Sequence, residues 1–194
     1  MNSYRVLRKI GRTASLMIAT ALAALLFTGC LFSPPTYEDP EAPPVMNSPA
    51  NVLKTIEIAY NQRNIRYYKS ALSENFVFYF DPRDVGQNPP VGKYIIPESW
   101  SYTDDWQATD KMFQKAYDIS LTIPTARVGT PDPEANIYKA TNINIKLLVM
   151  VDELNGYLAD TGYCNFEFEK YKNEVNEDRW RLRKWWDNTA VTLP

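Results

Sequence analysis

The stretch Tyr138–Asp187 reads YKATNINIKLLVMVDELNGYLADTGYCNFEFEKYKNEVNEDRWRLRKWWD, and it decides the fold of this chain. Apolar residues occupy every second position of its first part and recur in the same way around Phe166. Because successive side chains of a strand point to opposite faces, this period of two predicts three long antiparallel strands with one apolar face. That face needs a cover, which the rest of the chain must supply. The alternating residues are Ile143, Ile145, Leu147, Val149, Val151, Cys164, Phe166 and Phe168.

The last strand carries two adjacent tryptophans, Trp185 and Trp186. Strict alternation puts Trp186 on one face with Trp180 and Leu182, and Trp185 on the other face with Asp187. One tryptophan of the pair must therefore face outward, as a dimer contact, a ligand platform or a residue packed under a loop. Arg181 and Arg183 either bind an anion or interleave with Glu167 and Glu169 as a solvated face.

Composition excludes several classes of function. Residues 30–194 carry 17 Lys and Arg against 23 Asp and Glu, a net charge of −6, which is unsuited to nucleic acid. Histidine is absent, which removes Ser-His-Asp and Cys-His catalysis and imidazole-based zinc or haem sites. We therefore expect no metal and no cofactor.

The N-terminus predicts a secreted, anchored protein. A basic start is followed by the apolar run Ala14–Phe27 and then by Thr28-Gly29-Cys30. This ending resembles the lipobox of bacterial lipoproteins, with Phe27 where that family usually has Leu. The resemblance implies that a lipid on Cys30 anchors the chain on the non-cytoplasmic side of the cell envelope, in the outer or the cytoplasmic membrane. The alternative is an uncleaved N-terminal anchor.

Three segments follow from this interpretation. Residues 1–29 form a lipoprotein signal peptide, 30–48 a lipidated cysteine with a proline-rich tether, and 49–194 the folded domain. If Cys30 is lipidated, Cys164 is the remaining thiol, and its place on an apolar strand phase predicts a small buried side chain.

The domain opens with helices. Ser48-Pro49 starts the first helix, a shorter helix carries Tyr68, and Phe76–Phe80 forms a strand that is apolar on both faces. Thr103-Asp104-Asp105 caps a third helix whose inner face includes Trp106 and Phe113. Residues 83–100 and Pro124–Asn136 are expected to be loops.

This order of elements resembles the nuclear transport factor 2-like superfamily, which includes the SnoaL-like and ketosteroid-isomerase-like proteins. The resemblance covers about residues 50–188 and rests on Ala59–Asn64, Leu72–Phe78 and Trp180-Arg181-Leu182. It implies an α+β fold in which a strongly bent antiparallel or mixed sheet packs on N-terminal helices, forming a cone with a pocket. It also implies a habit of dimerising through the outer face of the sheet. Members range from isomerases to subunits without chemistry, so the fold does not fix the function.

Four residues are candidates for catalysis, each with a structural alternative. Asp81 is also a typical turn residue, Asp110 a solvated helix residue, and Asp187 a partner for a strand cation. Tyr79 is a candidate hydrogen-bond donor. The acids Asp104 and Asp105 are interpreted as helix caps. Candidate ligand-binding residues are Phe78, Tyr79, Phe80, Trp106, Phe113 and Trp186.

Three functions remain open. The first, favoured by the missing histidine, is a non-catalytic module that binds a small apolar ligand or a protein partner. The second is an Asp-dependent isomerase, hydratase or hydrolase acting on a hydrophobic small molecule. The third is a structural envelope subunit that forms a homodimer through its sheet. An enzyme predicts a closed pocket that holds at least one carboxylate within hydrogen-bond distance of Tyr or Arg. A binding module predicts an apolar pocket with few polar groups, and a structural subunit predicts a pocket filled by side chains and an apolar outer face.

Overall fold

The structure is a computed structural model that describes residues 41–88 and 95–192, apart from the side chains of Thr161 and residues 189–192. The expected signal peptide, Cys30 and most of the expected tether lie outside the described residues. Within the described ranges, no helix has both the length and the hydrophobicity needed to cross a bilayer.

In the part of the chain that the structure describes, three α-helices precede or interrupt the sheet. Helix α1 spans Pro49–Asn61, with Ser48 as its N-cap and proline in its first turn, as expected. Helix α2 spans Ile65–Ala71, with the Asn64 side chain accepting from two backbone N–H groups. Helix α3 spans Tyr102–Lys115, so it begins just before the predicted cap.

The described residues form seven strands in one mixed sheet. The order is β2-β1-β7-β6-β5-β3, and β4 pairs with β6 off this path. Strands β1 and β7 are parallel, and the other pairs are antiparallel. The strands are β1 Leu72–Tyr79, β2 Ser99–Ser101, β3 Asp118–Thr122, β4 Ile137–Ile143, β5 Lys146–Met150, β6 Gly156–Lys172 and β7 Asp178–Thr192.

The first of the three predicted strands is two strands in the structure, although apolar residues alternate without a break from Ile143 to Val151. Asn142 adopts a left-handed φ of 58°, and Asn144 and Ile145 separate β4 from β5. Strand β4 pairs with one part of β6 and β5 with another, so four strands replace the expected three. Asparagine tolerates the left-handed conformation better than β-branched residues do, which explains its place at the bend.

The predicted orientation of the two tryptophans is wrong, because the pairing of β7 with β6 is irregular. Between Leu182 and Lys184 the pairing with β6 shifts by one residue, so that Arg183 is extra. A bulge of this kind reverses the alternation beyond it. Trp185 consequently lies opposite Phe166 in the core at 5% exposure, whereas Trp186 lies on the other face.

The core lies between α1 and the concave face of the sheet. Val52, Leu53 and Ile56 of α1 are fully buried, as are Phe166 and Phe168 of β6. The chain before α1 also contacts the domain, because Met46 packs against the core and its carbonyl oxygen accepts from Trp180 N. Met46, which lies inside the segment expected to be tether, is therefore part of the packed domain.

Side chains of α1 cover the free edge of β3. Asn61 Oδ1 accepts from Leu121 N at 2.7 Å, and Asn61 Nδ2 donates to Leu121 O at 3.0 Å. Glu57 Oε2 accepts from Ile123 N at 2.7 Å. These contacts satisfy backbone N–H and C=O groups at the edge of the sheet. Unpaired groups at such an edge can pair with a strand of another chain and cause aggregation.

Candidate functional site

The first turn of α3 contains two acids with different roles. Ser101 is the N-cap, and it exchanges hydrogen bonds with Asp104 in a capping box. Asp105, for which the sequence also predicts a capping role, instead points into the protein and is 4% exposed. It shares the inner face of α3 with Thr109 and Phe113 because the three residues are spaced by four.

Asp105 is the centre of a buried polar cluster. Tyr68 Oη of α2 donates to Asp105 Oδ2 at 2.6 Å. The Tyr60 ring of α1 packs edge-on against Tyr68 at 5.5 Å and against Phe113 at 5.1 Å between ring centroids. The cluster thus joins the three described helices and places a carboxylate within hydrogen-bond distance of a tyrosine, which is one part of the pattern expected for an enzyme.

Burial changes the acidity of this cluster. Loss of solvation disfavours the charged carboxylate and raises the pKa of Asp105 from 3.8 to about 7, although the hydrogen bond from Tyr68 opposes this rise. Burial, together with the nearby Asp105 charge, also raises the pKa of Tyr60 and of Tyr68. At neutral pH both the protonated and the ionised form of Asp105 are therefore populated, and the phenols of Tyr60 and Tyr68 are neutral.

A second cluster consists of half-buried aromatic rings beside the end of β1. Phe80 contacts Phe78 at 4.9 Å and Trp100 of β2 at 4.7 Å between ring centroids. Phe78 in turn lies 5.7 Å from Trp185. Phe78, Phe80 and Trp100 remain partly accessible, unlike the rings of the core. We call Phe78, Phe80, Trp100 and Trp185 the aromatic opening.

Asp187 lies close to this opening, on the same strand face as Trp185. Its Oδ1 is 3.8 Å from Cys164 Sγ, directly across the β6–β7 pair. Cys164 is fully buried, and burial raises the pKa of its thiol, with the Asp187 charge adding to the rise. Cys164 is therefore a buried side chain, and its thiol is not activated.

The other candidate acids have structural partners. Asp81 is 4% exposed and ends β1, where its carboxylate accepts from the Arg83 side chain and backbone N–H, and these contacts lower its pKa. This is turn chemistry. Asp110 accepts from Gln114 Nε2 at 2.8 Å on the surface of α3. Neither carboxylate contacts the cluster at Asp105.

The six candidate ligand-binding residues do not form one site. Phe78 and Phe80 belong to the aromatic opening, and Phe113 is in the core. Tyr79 and Trp186 stack on each other, 5.4 Å apart and nearly parallel, on the outer face of the sheet. Lys69 Nζ lies over the ring of Trp106, 4.0 Å from the ring centroid.

Sequence reasoning did not identify Asp105, Tyr60, Tyr68 or Trp100 as candidate functional residues. Asp105 stands two helical turns before Phe113, a predicted inner residue, and that spacing was the available signal. No local signal marks Tyr68 as its partner, because the two are 37 positions apart. Among the described residues, no group of three or more Asp, Glu and Cys side chains is placed to hold a metal ion.

Comparison with known proteins gives similarity at the level of the fold. No family model matches the chain, and no curated protein matches its sequence. A conserved protein from Planctomyces limnophilus DSM 3776 is 12% identical, with 73% of this chain and 92% of that one covered and a TM-score of 0.47. A hexachlorocyclohexane dehydrochlorinase, LinA-type3, from Novosphingobium barchaimii LL02 is 12% identical over 74% and 85%, with a TM-score of 0.47.

A candidate scytalone dehydratase from Novosphingobium aromaticivorans DSM 12444 is 10% identical over 76% of this chain and 85% of that one, with a TM-score of 0.43. The structural neighbours thus include enzymes, but at these values no activity is transferred from them. The fold assignment rests on the chain's own helices, sheet order and register. The chain has the α+β fold, with a mixed sheet packed on N-terminal helices, that the sequence resemblance implied.

Proposed function

We propose that this chain is a lipid-anchored envelope protein whose domain binds the apolar part of a small molecule at the aromatic opening. The observation that carries this function is the cluster of Phe78, Phe80 and Trp100, whose rings contact one another yet stay partly accessible at the edge of a packed core. Binding sites for small molecules combine such apolar surface with few polar groups. Asp187 supplies a polar group beside it.

The anchor rests on the sequence alone. The apolar run and Cys30 support lipidation, and acyl chains contribute about 0.8 kcal/mol per buried methylene to membrane binding. Mass spectrometry of the membrane fraction tests this part. A mature chain that begins at Cys30 and carries acyl groups supports it, whereas an unmodified chain that retains residues 1–29 contradicts it.

An environment-sensitive probe tests the binding site. The full chain is titrated with N-phenyl-1-naphthylamine, an uncharged aromatic fluorophore. We expect saturable fluorescence enhancement that Trp100→Ala weakens at least tenfold, because the substitution removes one of the three accessible rings. Tyr117→Ala is the matched control, since Tyr117 is 57% exposed elsewhere on the surface. Equal weakening in both variants, or no saturable binding, contradicts the proposal.

The Asp105–Tyr68 pair favours a second function, acid–base catalysis on a hydrophobic carbonyl compound. A carboxyl group whose pKa lies near 7 is suited to accept and return a proton at neutral pH. Tyr68 Oη is in place to orient that group, at 2.6 Å from Asp105 Oδ2. Tyr60, Thr109 and Asp105 each retain a small exposed fraction, between 4% and 7%.

Isotope exchange separates this function from simple binding. The full chain is incubated in D₂O with a panel of apolar ketones, and deuterium at the carbon next to the carbonyl is measured by mass spectrometry. Catalysis predicts exchange that Asp105→Asn abolishes and Trp100→Ala leaves measurable. Exchange no faster than in buffer across the panel contradicts this second function and leaves the binding proposal standing.

A further inference from the structure

The outer face of the sheet, opposite α1, is unusual in composition. We define the outer face by the outward side chains of β1, β4, β6 and β7 whose cross-strand contacts fix their direction. It holds no member of the buried core. Its residues are Tyr79, Ile137, Lys139, Glu167, Glu169, Tyr171, Arg179, Arg181, Arg183, Lys184 and Trp186.

Charge on the outer face runs opposite to charge on the domain as a whole. Residues 30–194 carry a net charge of −6. The outer face carries five cations against two carboxylates, and cations remain in excess when Glu177, the partner of Arg179 at the hairpin, is included. A local positive surface on an acidic domain attracts an acidic partner and repels a second copy approaching with the same face.

Three of these cations surround a single carboxylate. Lys139 Nζ, Arg183 Nη1 and Lys184 Nζ lie 3.3, 3.6 and 3.4 Å from Glu167 oxygens. Glu167 is 4% exposed, and its Oε1 accepts no hydrogen bond among the described residues. Arg183 Nε also lies 3.8 Å from Glu169 Oε2, so two carboxylates face these three cations and one positive charge is in excess for a carboxylate from outside. Lys139 is the most accessible of them, with 64% of its side chain exposed.

The neighbouring residues have the composition of a protein interface. Trp186 stacks on Tyr79, with Lys184 Nζ 5.6 Å from the Trp186 ring centroid. The Arg181 guanidinium lies 4.0 Å from the Tyr171 ring centroid, beside a surface depression of about 520 Å³. Tryptophan, tyrosine and arginine are the residues enriched at the energetic centres of protein–protein interfaces.

The first described residue, Glu41, lies away from this face. Glu41 is held on the helix side of the domain, where its carbonyl oxygen accepts from Gln62 Nε2 at 2.7 Å and its side chain lies 3.9 Å from Lys54 Nζ. Helix α1 buries its other side against the concave face of the sheet. Glu41 itself therefore lies on the side of the domain opposite the outer face. The tryptophan, tyrosine and arginine side chains of the outer face favour a protein partner as the occupant, and its positive charge favours an acidic one.

We propose that the outer face docks an acidic segment of another protein, with the cations around Glu167 pairing with its carboxylates and Trp186 contacting an apolar residue between them. This interaction is separate from the ligand site at the aromatic opening, where Phe78 and Trp185 lie on the inner face of the sheet.

Selection from a peptide library tests the proposal directly. A random twelve-residue library is displayed on phage and selected on the immobilised full chain at 50 mM salt. We expect enriched sequences with two or more Asp or Glu around an aromatic or aliphatic residue. A synthetic enriched peptide should bind at least tenfold more weakly to Lys139→Gln/Lys184→Gln, and more weakly to the native chain at 200 mM salt.

The double variant leaves Arg183 to neutralise Glu167, so it is expected to fold, and circular dichroism checks this. The matched control is Arg66→Gln/Lys111→Gln, which removes two exposed cations from α2 and α3 and should leave peptide affinity within twofold. Trp186→Ala should weaken binding independently of salt.

Two results overturn the proposal. Selected peptides without acidic enrichment, or affinity that both double variants reduce equally, show that the outer face is not the docking surface. Binding of the chain to phosphatidylglycerol vesicles that Lys139→Gln/Lys184→Gln abolishes, in the absence of acidic peptides from the selection, assigns the face to a lipid surface instead.

Discussion

Asp105 should make the stability of the domain fall as pH rises through neutrality. Its pKa is 3.8 in an exposed setting and about 7 in the fold, so the folded state holds the proton more tightly than the unfolded state does. The stability that protonation contributes is fully present below pH 3.8 and is lost as pH rises through about 7. The difference corresponds to about 4 kcal/mol, an upper value because relaxation and water entry reduce the cost of a buried charge.

Asp105→Asn isolates this effect. The amide has the same shape, and its oxygen still accepts from Tyr68, but it does not ionise. We expect the variant to match the native chain at pH 4 and to exceed its free energy of unfolding by up to about 4 kcal/mol at pH 8. Urea denaturation followed by tryptophan fluorescence between pH 4 and pH 8 measures the difference.

Asp104→Asn is the matched control with the opposite sign. Hydrogen bonds from Ser101 lower the pKa of Asp104, so its contribution is present at neutral pH and is lost as pH falls through that lowered pKa. This variant should be less stable than the native chain at pH 7, with the difference shrinking in acid. A native-to-Asp105→Asn difference that stays constant from pH 4 to pH 8 would refute the reasoning about burial.

Three further substitutions test the packing by urea denaturation. Asn61→Ala removes both hydrogen bonds to the edge of β3 at Leu121 and should cost about 1–3 kcal/mol; an unchanged midpoint would show that water replaces them. Gly156→Ala should cost about 1–3 kcal/mol, because a Cβ there lies 2.8 Å from the Val149 carbonyl oxygen, and a neutral result would mean that the turn shifts freely. Leu182→Ala should cost about 2–5 kcal/mol, since its side chain is fully buried, and a loss below about 1 kcal/mol would place it outside the core.

Local patterns determined much of the fold. The alternation around Phe166 predicted a long strand with a buried face, and Ser48-Pro49 predicted the start of α1; both are present in the structure. Asp81 behaves as the turn residue that its place at the end of a strand, before Pro82, suggests. These features depend on residues a few positions apart, which is the range over which backbone geometry and capping act.

Long-range contacts decided the rest. Because Arg183 is an extra residue in β7, Trp185 and Trp186 lie on the faces opposite to those that strict alternation predicts. The bulge forms only when β6 pairs with β7. Asp105 is chemically unusual because Tyr68 and the core enclose it, whereas the sequence beside it describes an ordinary helix start. Likewise, the excess of cations on the outer face exists only once four strands lie side by side. The sequence by itself determined where strands and helices form, and tertiary packing decided which side chains lose water and which charges meet.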